Sequence, residues 1–73
     1  MRTTFSKSAN AVYIYLDEIK KGGVAKTHPI IIKEMNGEVN LDFDKNEQLV
    51  GIEILGANKI LPKKILNSAE KLD

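Results

Sequence analysis

Asp42, Asp44, Asn46 and Glu53 are the densest set of oxygen ligands in the sequence. Counted from Asp42 they fall on the first, third, fifth and twelfth places of a calcium-binding EF-hand loop. The sixth place, which needs glycine for the sharp bend, holds Glu47. Both flanks alternate apolar and polar residues as strands do, where an EF-hand would have two helices. A solvated hairpin tip is the preferred reading over a calcium cage. Asp42 and Glu53 can also be read as an acid/base pair of carboxylates. No pocket is implied above them, however, and Lys33 is a plain charge partner. A metal-dependent enzyme around Asp42, Asp44 and Glu53 is therefore the least favoured of three functional readings, and only a deep cleft converging on those acids would raise it.

The other reactive side chains are sparser. His28 is the single histidine and has no orienting partner in the sequence. Ser6 and Ser8 lack the glycine elbow of a serine nucleophile and read as turn hydroxyls. Cysteine is absent, which removes disulfides and thiolate zinc sites. No catalytic residue, cofactor or metal is expected. Binding chemistry is better represented. Tyr13 and Tyr15 could stack bases, but no basic residues interleave them, and a protein contact suits them better because aromatics are enriched in such interfaces. Lys59, Lys63, Lys64 and Lys71 make the C-terminal segment basic, a solvated helix face before it is a phosphate-binding one.

The elements that position these residues follow from alternation. Val39, Leu41 and Phe43 lie on one side of a strand, and Val50, Ile52 and Ile54 on one side of the next. Placing Lys45 opposite Gln48 sets Phe43 against Val50, Leu41 against Ile52 and Val39 against Ile54. A one-residue slip would turn one apolar set outward. Upstream, Asn36-Gly37 is the strongest short hairpin signal, because a type I′ turn needs positive φ twice. Read as a two-residue loop, it sets Ile32 against Leu41 and Ile30 against Phe43. The expected apolar layer is then Ile30, Ile32, Val39, Leu41, Phe43, Val50, Ile52 and Ile54. The far face carries Ile31, Lys33, Asn40, Asp42, Gly51 and Glu53, with Gly51 permitting close approach of a neighbouring group.

Thr3–Phe5 forms a short first strand, and Ala11–Leu16 a second with Val12 and Ile14 on one face and Tyr13 and Tyr15 on the other. Asp17–Gly23 is a loop. Val24–Thr27 and Ile30–Met35 are extended, with Pro29 at an edge or a strand start. Pro62 opens a helix over 61–72 whose stripe is Leu61, Ile65, Leu66, Ala69 and Leu72.

The chain has 73 residues and a net charge of +1, which excludes binding driven by bulk charge. A chain of this size buries only about 60% of the surface its unfolded form exposes. With neither disulfide nor metal available, association is the remaining source of stability. No apolar run approaches the ~20 residues of a membrane span, and the N-terminus lacks a signal-peptide apolar core, so a cytoplasmic protein is expected.

Phe5-Ser6-Lys7-Ser8-Ala9-Asn10-Ala11-Val12-Tyr13-Ile14, Leu41-Asp42-Phe43-Asp44 and Val50-Gly51-Ile52-Glu53-Ile54-Leu55 together resemble the DUF2283 family over roughly residues 3 to 58. Asn10 stands where that family usually has aspartate, and Asn46-Glu47 where it often has an Asp-Gly or Asn-Gly turn. Glu47 would be strained at positive φ, which points to a turn longer than two residues. The resemblance implies a small β-rich domain with no assigned activity. It extends to proteins encoded beside small toxin-like partners, which adds an antitoxin-like role to the candidates.

The expected fold is α+β, a single domain over 1–73. An antiparallel meander of about four to five strands (3–55) carries one C-terminal helix (61–72) on its apolar face. The expected function is a non-catalytic interaction module, a homo-oligomer with a dimer favoured, or a binder of a small partner protein. Tyr13, Tyr15 and Ile31 form its contact surface. A nucleic-acid-binding accessory using the lysine-rich helix is the second reading.

Overall fold

The computed structural model describes residues 1–73. Six strands form one mixed sheet: β1 (Arg2–Ser6), β2 (Ala11–Tyr15), β3 (Lys26–Ile32), β4 (Gly37–Phe43), β5 (Leu49–Leu55) and β6 (Glu70–Lys71). Two short helices, α1 (Ala57–Ile60) and α2 (Lys63–Ser68), lie between β5 and β6. The strand order is β3-β4-β5-β2-β1-β6, antiparallel except for the parallel β1–β6 pair. The expected α+β class stands, but the simple meander does not. The β3-β4-β5 run is joined to the β1–β2 hairpin through the β2–β5 ladder, which places β2 inside the sheet.

The apolar face gathers Phe5, Val12, Ile14, Val39, Ile52 and Ile54, onto which Ile60, Leu61 and Leu66 pack from the helices. Val12 and Ala57 are fully buried at its centre. Ile30 shares this face opposite Val39, yet it is 42% exposed, because β3 is the outermost strand.

Three expectations of register need correction. The β4–β5 ladder pairs Val39 with Ile54 and Leu41 with Ile52 as read, but a bulge after Asp42 sets Phe43 against Leu49 in place of Val50. At the tip, Asp44 rather than Lys45 meets Gln48, giving a three-residue loop with Glu47 at φ 63. Its αL third residue is the usual geometry of such loops, where glycine is the ordinary occupant.

The β3–β4 turn differs more. Lys33–Met35 form a 3-10 turn closed by Asn36 at φ 50, so the strand expected over Ile30–Met35 ends at Ile32. Ile32 then pairs with Gly37, Ile30 with Val39 and His28 with Leu41. The shift is an even number of residues, so each side chain keeps its face. Gly37 is required by close packing, not by positive φ. A Cβ there would lie 2.6 Å from Ile60 Cδ1 and 2.9 Å from the Leu55 carbonyl oxygen.

Of the helix expected over 61–72, only Lys63–Ser68 is helical; Pro62 stands at its start as read, and a separate single turn, Ala57–Ile60, precedes the extended Leu61-Pro62. After Ser68, Ala69 turns extended and is buried, and Glu70–Lys71 join β1. Helices of this length do not persist alone; both are held by apolar contacts, and α1 also by Asn10. The Asn10 carbonyl accepts the Gly56 and Ala57 N–H groups at 3.0 Å each, its Oδ1 accepts the Asn58 N–H at 3.0 Å, and its Nδ2 donates to Asn58 Oδ1 at 2.7 Å. No helix is long and apolar enough to cross a membrane.

Candidate functional site

Both helices cover the same side of the sheet, and the opposite side carries the chemically versatile residues. Rows of directly paired residues on that side read Arg2, Tyr15, Gly51, Asp42 and Thr27 across the strands, and next to them Thr4, Tyr13, Glu53, Asn40 and Pro29. The Tyr13 ring leans across the rows and lies over Gly51, where a Cβ would come within 2.6 Å of Tyr13 Cζ. Its hydroxyl donates to Asp42 Oδ2 at 2.6 Å, and Thr27 Oγ1 donates to Asp42 Oδ1 at 2.7 Å. Asn40 Nδ2 donates to Glu53 Oε1 at 3.1 Å. Asp42, Asn40 and Thr4 are all buried despite having no helix above them. Burial first, then the hydrogen bond to Asp42 and the nearby negative charges, push the Tyr13 hydroxyl well above its ordinary pKa.

Tyr15 stands beside Tyr13 with ring centroids 4.7 Å apart and planes tilted by 53°. The Arg2 guanidinium lies 5.0 Å from the Tyr15 centroid, a cation–π distance. Arg2 also holds Glu70 with two bonds, Nε to Oε1 at 3.1 Å and Nη2 to Oε2 at 3.2 Å. The two tyrosines and Gly51 are thus brought together. Ile31 is not: it lies on the same face but on β3, three strands from β2, roughly 14 Å away at ordinary strand spacing.

The acids expected as a possible centre are dispersed. Asp42 is engaged by Tyr13 and Thr27, and Glu53 by Asn40; Lys33 pairs with neither. Asp44 Oδ1 accepts the Asn46 and Gln48 N–H groups at 2.9 and 3.0 Å, which builds the hairpin tip. No three of the chain's His, Asp and Glu side chains converge in a geometry for a metal ion. A depression of about 330 Å³ between the Asp17–Gly23 loop and the tip includes Asp44 but neither Asp42 nor Glu53. His28 is exposed on β3. Lys59, Lys63 and Lys64 are exposed, whereas Lys71 Nζ folds back onto the Asn67 and Ala69 carbonyls at 2.8 and 2.7 Å.

Ser6 and Ser8 do more than close a turn. Asp73 sits in their loop, with Oδ1 accepting the Lys7 N–H at 2.7 Å and Oδ2 accepting the Ser8 N–H and the Ser6 hydroxyl at 3.3 Å each. The Ser8 hydroxyl also donates to Oδ2. These bonds, led by the one from Ser8, hold the Asp73 carboxyl below its usual range. The spacing between Ser6 and Asp73 hides this contact in the sequence; the small-polar Ser-Lys-Ser turn is its only local trace.

The model of a family described as "Protein of unknown function (DUF2283)" matches residues 2–58, which take in β1 through β5 and the start of α1. No curated protein and no solved structure matches the chain.

Proposed function

We propose that this chain, which belongs to the DUF2283 family, is a non-catalytic interaction module that pairs with a second copy of itself through the sheet face its helices leave bare. The observation that carries this reading is one-sidedness. Both helices lie on the Val12 and Ile54 side, while Tyr13, Tyr15 and Leu55 stay only half buried on the other. Ile31, on the outermost strand of that face, is 60% exposed. Tyr13 is already fixed by Asp42, and Tyr15 by Arg2, so little side-chain entropy remains to be lost on contact. Tyrosine and arginine are also the residue types enriched at contact centres. The outward edge of β3 adds unpaired backbone groups to the same rim.

Multi-angle light scattering over a concentration series tests the reading. The wild-type mass should rise toward a dimer, and a Tyr15→Ser/Ile31→Ser double variant should remain monomeric at the same concentrations. Tyr13 is left intact because its removal would leave the buried Asp42 Oδ2 without its donor. A wild-type chain that stays monomeric throughout overturns self-association and leaves a small partner protein, the antitoxin-like alternative, to cover the face.

A further inference from the structure

On the other edge of the sheet the chain is bound to its own tail, and we infer that the β1 edge together with the Ser6–Ser8 turn is a strand-addition site for an extended acidic segment of a partner protein, with Glu70–Asp73 as its resident stand-in. Two acids three positions apart define the ligand. Glu70 pairs with Arg2 at the start of β1, and Asp73 enters the Ser6–Ser8 turn beyond its end. Between them run the parallel ladder of Thr4 with Glu70 and Phe5 with Lys71, and the Leu72 N–H donating to the Phe5 carbonyl at 3.0 Å. Backbone bonds supply adhesion in such modes and the side-chain seats supply selectivity. The Asp73 contacts are made by its side-chain oxygens, so an aspartate inside a longer segment would fit equally well.

The resident segment is a weak occupant. It pairs only two residues of the five in β1, and Glu70 through Asp73 are all exposed. The Arg2–Glu70 pair is more than half exposed on both sides, where ion pairs contribute little. Such a segment belongs to the part of a structure that opens most easily. It also lies outside residues 2–58, to which the family match is confined, so the matched strands by themselves leave the β1 edge uncovered. A second copy's identical tail would gain no new contact, whereas a partner segment with the same two acids and a longer ladder would. The site shares Arg2 with the tyrosine face, but its Asp73 seat at Lys7 and Ser8 lies apart from that face, so either reading can fail alone.

The test uses the full chain, labelled for amide NMR, and the capped hexapeptide Ser-Ala-Glu-Lys-Leu-Asp, the sequence of residues 68–73. In wild type the tail competes at intramolecular concentration, commonly about millimolar for a short link. In a Glu70→Ala/Asp73→Ala chain that competition is weakened, and the peptide should shift the Lys7 and Ser8 amides at concentrations at least about tenfold lower than in wild type. A peptide with asparagine in the last position should lose the effect. Should the double variant unfold, Asp73→Asn alone is read in the same way. Equal response in wild type and variant, or none at Lys7 and Ser8, overturns the site. A wild-type mass that rises with concentration and falls in the double variant assigns the seat to a second copy's tail and overturns the partner reading.

Discussion

Gly51 shows how far a single residue's role can be read ahead of the fold. Its place opposite Asp42 follows from alternation along two strands, and close approach of another group follows from the missing side chain. That the group is the Tyr13 ring does not follow, because Tyr13 arrives from β2 and pairs with Glu53, one row away. The same gap misplaces Asp42, which alternation puts on the far face and so suggests to be solvated. It is 9% exposed because Tyr13 and Thr27 close over it. Gly51→Ala should force the tyrosine aside and break its bond to Asp42, destabilising the fold by about 1–3 kcal/mol. Absorbance titration gives a second readout. The Tyr13 hydroxyl is raised in the folded chain, so its contribution to stability is complete below the unfolded value near 10 and is lost as pH rises through the folded value. In Gly51→Ala that titration should move down toward 10. An unmoved titration with unchanged stability would show that Tyr13 does not depend on the glycine.

At the scale of elements, the β4–β5 hairpin is the most legible part of the chain, since two apolar sets of matching period permit only one facing arrangement. What alternation does not reveal is the bulge, because one inserted residue at Val50 leaves the outer pairs Leu41–Ile52 and Val39–Ile54 untouched. Asn36-Gly37 misleads for a different reason. The dipeptide does sit at a turn, but only Asn36 is left-handed, and Gly37 is selected by α1 packing over it. Pro62 marks the start of the C-terminal helix as read, but its end at Ser68 has no local signal, since Glu70–Lys71 leave the helical path for a ladder with β1, far away in sequence. Glu47, in contrast, stands where the sequence calls for glycine, and it is left-handed at φ 63. Glu47→Gly should therefore raise the thermal midpoint, by relief of about 1 kcal/mol. A lower midpoint would mean that the glutamate side chain contributes more at the tip than its strained backbone costs.

For the molecule as a whole, the core is thin, and its cost should be concentrated at the β2–β5 centre. Ile54→Ala, beside Val12 and Ala57, should cost about 2–5 kcal/mol, whereas Ile30→Ala on the exposed strand β3 should stay within about 0.5 kcal/mol in the monomer. Equal denaturation midpoints for the two variants would contradict the placement of the core.

The two ends of the chain meet at β1, and that junction should respond to acid in a defined direction. Arg2 lowers the Glu70 carboxyl, and the Ser8 hydroxyl with the Lys7 N–H lowers that of Asp73. Groups lowered on folding stabilise the docked tail above their unfolded values, near 4, and the stabilisation is lost as pH falls through the lowered values. Acidification should thus release residues 70–73 while the β2–β5, β4–β5 and β3–β4 ladders, which hold no part of this junction, persist. Amide exchange at Lys7, Ser8 and Leu72 should accelerate relative to the core below that range, and Asp73→Asn should produce the same Lys7 and Ser8 exposure at neutral pH. Exchange at these amides that follows the core at every pH would mean that the tail opens only with global unfolding, in which case the β1 edge is not separately accessible to any partner strand.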